Sequence, residues 1–99
     1  MLAVLLNGAT GIGAGPVVQN VNAAATVQLD YVGSVSGAFP QVFIEGSMDG
    51  STWTTLSTMN VETTPQSSFS IIQGAWRFLR AEVIAVSPSG GTFTAYILD

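Results

Sequence analysis

Chemistry in a small protein begins with its ionisable and nucleophilic side chains, and this chain offers few of them. The acids are Asp30, Glu45, Asp49, Glu62, Glu82 and Asp99, the cations are Arg77 and Arg80, and histidine, cysteine and lysine are absent. A serine nucleophile therefore lacks a side-chain base. Zinc sites built from His and Cys are excluded. Two carboxylates can hydrolyse a glycosidic bond without histidine, but nothing in the sequence brings two of these acids into one cleft. They read as solubilising charge on outer faces. Asp49 stands between Gly46 and Ser51 without the alternating acids of a calcium loop, so it reads as a turn-capping residue. The glycines at 11, 13 and 15 are spaced like a phosphate cradle. A cradle needs a helix after it; none is expected here, and the run reads as a loop. Trp53, Trp76, Tyr31 and Tyr96 could stack on sugars, although rings of this size more often fill a core or a protein contact. No catalytic activity, metal or cofactor is expected.

The composition narrows the partners. Ninety-nine residues suit one domain. Hydrophobic residues make up 47% of the chain and charged ones 8%, against roughly 25% charged in an ordinary soluble domain. So little charge implies that much of the surface is covered by something else. With a net charge of −4 and two cations, the chain cannot neutralise a run of phosphates, which argues against nucleic acid and anionic membranes. No stretch is long and apolar enough to cross a bilayer of about 30 Å. Met1 to Leu6 is apolar but short and lacks the basic flank of a signal peptide. It reads as an N-terminal strand or arm, followed by a Gly-rich loop to residue 15, with a β-sandwich domain over 16–99.

The elements that position these residues are strands. Pro40 to Met59 reads as strand, turn, strand, with Val42, Ile44 and Gly46 on one face, Phe43, Glu45 and Ser47 on the other, and Asp49-Gly50 turning the chain. Thr26 to Val35 alternates, with Val27, Leu29 and Tyr31 inward. Ser67 to Ile72 is expected to point Phe69 and Ile71 inward. Over Trp76 to Val86 helix competes on propensity, but the alternation of Leu79, Ala81, Val83 and Ala85 favours strand. Arg80 and Glu82 are neighbours there and make an exposed pair worth about 0–1 kcal/mol. Thr92 to Leu98 closes the chain with Phe93, Ala95 and Ile97 on one face. Seven to eight short strands with turn signals between them predict an all-β, antiparallel sandwich or jelly-roll-like domain.

Residues 42–56, Phe78-Leu79-Arg80-Ala81 and the final turn and strand from Ser89 to Leu98 resemble small β-sandwich proteins of tailed-phage virions. In these, a strand ending in Gly-Ser meets Asp-Gly-x-x-Trp, and an Arg-Ala strand follows. The likeness covers residues 40–98, and the pattern is shared with discoidin-like carbohydrate-binding modules. It implies a capsid decoration or cement protein on the exterior of the virion, present in the host cytoplasm during assembly. Its partners would be the major capsid protein and copies of itself, with Met1, Leu2, Val4, Leu5, Leu6, Trp53 and Trp76 as candidate interaction residues. The alternatives are a carbohydrate- or receptor-binding module of a tail fibre, in which a glycan would be bound, and a neck or tail structural component.

Overall fold

A computed structural model describes residues 2–19, 21, 24–37 and 39–98. The strands are β1 (Leu2–Ala9), β2 (Gly13–Ala14), β3 (Val18–Gln19), β4 (Ala24–Gly33), β5 (Gln41–Ser47), β6 (Thr54–Asn60), β7 (Gln66–Gln73), β8 (Phe78–Ala85) and β9 (Gly91–Leu98). No helix occurs among the described residues, so the segment containing Arg80 and Glu82 is strand, as its alternation predicts.

Two antiparallel sheets form. One has the order β1-β9-β4-β7; the other has β2-β8-β5-β6, with β3 also on β8. β2 and β3 lie along one edge of β8, Gly13 opposite Val83 and Val18 opposite Leu79. They behave as a single strand interrupted at Pro16, which has no N–H to give the ladder. Counted that way, eight strands among the described residues alternate between the sheets in jelly-roll order, except that β5 and β6 are joined as a sequential hairpin within one sheet.

The core lies between the sheets. Val27, Leu29, Tyr31, Phe93, Ala95 and Ile97 enter from the four-stranded sheet, and Val42, Ile44, Leu79, Ala81 and Val83 from the other. These are the inward faces read from the alternation of β4, β5, β8 and β9. The β5–β6 turn is built by side chains. Ser47 Oγ accepts from the Gly50 amide at 2.9 Å, and Asp49 Oδ1 accepts from the Ser51 and Thr52 amides at 2.8 Å. Gly50 sits at φ 80°, open to glycine at little steric cost.

Two expectations need correction. The first concerns the amino terminus. β1 pairs with β9 along Leu2–Ala9, and Leu5 and Leu6 are both buried in the common core. A register shift between Val4 and Leu6 lets two successive residues turn inward, as a bulge allows. The sandwich thus begins at Leu2 and not at residue 16, and Leu5 and Leu6 are not available to a partner. The second concerns β7. Its register sets Ile71 against Thr26 and Phe69 against Gln28. Directly opposed residues share a face, and Thr26 and Gln28 lie opposite to the core-facing Val27 and Leu29. Phe69 and Ile71 therefore point outward, 68% and 67% exposed, while Ile72 is buried. Ser70, on the inward side, hydrogen-bonds Ser57 of β6 at 2.7 Å where the two sheets meet at a corner.

Candidate interaction surface

The outward residues of the four-stranded sheet fall into lateral rows fixed by the ladders. One row runs Leu2, Leu98, Thr26, Ile71; the next runs Val4, Tyr96, Gln28, Phe69. Six of these eight side chains are apolar or aromatic, and none is charged. Leu2, Leu98, Phe69, Ile71 and Val4 are all exposed. A shallow depression of about 420 Å³ lies between them, lined by Leu2, Thr26, Gln28, Phe69, Tyr96 and Leu98. The patch has apolar corners at β1 and β7 and a polar column, Thr26 and Gln28, on β4. Among the described residues Asp30 is the acid on this face. It accepts hydrogen bonds from Ser67 and Gln28, which hold its carboxyl below the usual range.

The opposite outer face carries the charges. Arg80 Nε donates to Glu45 Oε1 at 2.9 Å, and Arg80 Nη2 lies 3.7 Å from Glu82 Oε2. The Arg80 guanidinium also sits 4.1 Å above the Trp53 ring. The arginine's close partner is therefore Glu45 on the neighbouring strand, where the sequence suggested Glu82. The β5–β8 register, which sets Phe43 against Glu82 and Glu45 against Arg80, also brings two carboxyls together. A hydrogen bond with Glu45 raises the Glu82 carboxyl above its usual range, helped by burial and Coulomb repulsion from Glu45 and opposed by Arg80. Sequence reading placed no two acids together, because the pairing needs the β5–β8 register. Arg80 ties both carboxylates into an ion-pair network.

The predicted interaction residues separate in the structure. Leu2 and Val4 lie on the apolar face, Leu5 and Leu6 in the core, and Met1 outside the described residues. Trp53 is half-buried beneath Arg80. Trp76 packs against the core in a notch left by Gly46, where an added Cβ would come 2.6 Å from its ring. Its Nε1 donates to the Gln73 carbonyl at 2.9 Å. Tyr31 is a core residue, its ring 4.9 Å from that of Phe93 and its hydroxyl donating to the Ser34 carbonyl. Of the surface residues here, sequence reading assigned Phe69 and Ile71 to the core, weighed Tyr96 only as a sugar-stacking ring, and did not single out Leu98. For β7 no signal within the strand chooses the face; the pairing of Ser68, Ser70 and Ile72 with Leu29, Val27 and Ala25 does.

Trp76 also borders a second depression of about 290 Å³ with Gly46, Ser47, Met48, Asp49, Thr52 and Thr54. An aromatic ring beside polar groups suits a sugar, but here Ser47 Oγ and Asp49 Oδ1 are engaged within the chain. Asp49 Oδ1 accepts from Ser47 Oγ as well as from two turn amides. No protein-family model, curated protein or solved structure matches this chain.

Proposed function

We propose that this chain is a non-enzymatic structural protein of a phage virion, which binds the outside of the capsid and stabilises it through protein–protein contacts. The observation that carries this reading is the uncharged, apolar patch on the four-stranded sheet. Apolar surface is favourable to remove from water at about 25 cal/mol per Å², and contiguous exposed patches of this kind mark interaction sites. Phe69 and Ile71 point outward while Ser68 and Ser70 point toward the core, an arrangement that folding alone does not favour. A jelly roll serves shells and lectins alike, so fold does not choose between decoration and sugar binding. The apolar chemistry of the patch, and the engagement of Ser47 Oγ and Asp49 Oδ1 near Trp76, support contact with protein. Repetition on a lattice makes individually weak contacts collectively tight.

Co-sedimentation with shells lacking the protein, beside a glycan array, tests the reading. The expected result is saturable binding at a fixed copy number per shell and no glycan signal. A selective sugar signal without shell binding would overturn it and move the protein to host recognition.

A further inference from the structure

The patch on the four-stranded sheet fits one neighbour in particular. We infer that this face packs against the same face of a second copy, about a two-fold axis running along the strands between β9 and β4. The inference rests on the contact role proposed above and names the partner at that surface.

Three observations carry it. The first is complementarity. An axis in that position places β1 of one copy over β7 of the other, and β9 over β4. Leu2 and Val4 then face the other copy's Ile71 and Phe69, apolar corner on apolar corner. Leu98 and Tyr96 face Thr26 and Gln28 across the shallow depression. Every residue on one side finds its counterpart on the other, as an isologous contact requires. The second is charge. Each copy carries −4, so two copies repel unless they meet where charge is sparse. The two rows hold none, and Asp30 beside them is already hydrogen-bonded within its own chain. The Glu45, Arg80 and Glu82 network lies on the other sheet. The third is area. Four strands about 4.8 Å apart, with eight residues each rising about 3.4 Å, make a face of about 500 Å² in projection, the rows of Asp30 and Val32 included. Two such faces bury about 1,000 Å² together, the size at which specific interfaces begin. Aligned packing of sheets accommodates their twist at about 30°.

The test needs no shells. Sedimentation equilibrium of the purified chain should show a reversible monomer–dimer equilibrium, with dissociation in the micromolar range. Phe69→Asp should weaken dimerisation at least about 100-fold, since it sets a charge in a desolvated contact. Ile12→Asp, at an exposed loop residue off this face, should leave it unchanged; circular dichroism confirms that both fold. Because the chain has no cysteine, Val4→Cys combined with Phe69→Cys reads the axis directly. The two positions lie three strands apart within one chain, about 14 Å, whereas packed sheets lie about 10 Å apart, so a short bifunctional thiol reagent matched to that gap should give a doubly linked dimer. A chain that stays monomeric to about 1 mM, or whose dimer ignores Phe69→Asp, overturns the inference. Dimers that do not bind shells would leave it standing and remove the proposed function. Shell binding by a chain that is monomeric alone would do the reverse.

Discussion

Single residues decide where this chain has room and where it holds charge. Gly46 faces inward on β5 against Trp76 and Leu56, and a Cβ there would come 2.6 Å and 2.8 Å from their side chains. Gly46→Ala should therefore destabilise the fold by about 1–3 kcal/mol, the usual cost of overpacking, as read by urea denaturation. Asp49 and Glu82 predict opposite pH effects. Turn amides and Ser47 hold the Asp49 carboxyl at about 2, below its unfolded value of about 3.9. Its ionised form thus favours the fold above about pH 4, and that contribution is lost as pH falls toward 2. Asp49→Asn should be less stable than the parent at neutral pH, with the difference shrinking over that window. Glu82 is raised, so the folded chain prefers it protonated. Stability from that preference is present at acid pH and lost as pH rises through its carboxyl range. Glu82→Gln should remove the decline. Chemical denaturation across pH measures both.

At the scale of elements, alternation was legible where one face ran in an unbroken apolar series and the other was mixed or polar. β4, β8 and β9 present such series, and their buried faces are those the sequence predicts. β7 has apolar residues on both alternations, Phe69 and Ile71 against Ile72, and pattern alone cannot choose between them. Its pairing with β4 chooses, and pairing partners far apart in sequence are not written in either strand. β1 is the strand that the sequence allowed beside an arm, but a bulge breaks its period and buries Leu5 beside Leu6. That has a consequence for the amino terminus. Leu5→Ala should cost about 2–5 kcal/mol, as buried leucine truncations do. Val4→Thr, at an exposed position, should change stability by less than about 0.5 kcal/mol. Removing residues 1–6 should unfold or severely destabilise the chain instead of merely detaching an anchor. Thermal unfolding of the three variants separates an integral strand from a dispensable arm.

At the scale of the whole molecule, two sheets divide the labour. One outer face carries an ion-pair network around Arg80, and the other carries Phe69, Ile71, Leu2 and Leu98 in water. The sandwich class was legible from short strands set off by Gly, Pro, Asp and Ser turns. The low charge pointed to a covered surface but could not locate it. Locating it required the register that lines up β1, β9, β4 and β7, and two of its six apolar residues, Phe69 and Ile71, come from a strand whose facing is set by tertiary pairing. The central claim is that this face is covered by protein when the molecule works. Hydroxyl-radical footprinting tests it most directly, comparing the dilute chain with the chain bound to shells. Oxidation of Phe69 and Tyr96 should fall sharply on the shell, while Phe39, exposed on the loop before β5, stays reactive. Equal reactivity of Phe69 and Tyr96 in the two states would contradict the account.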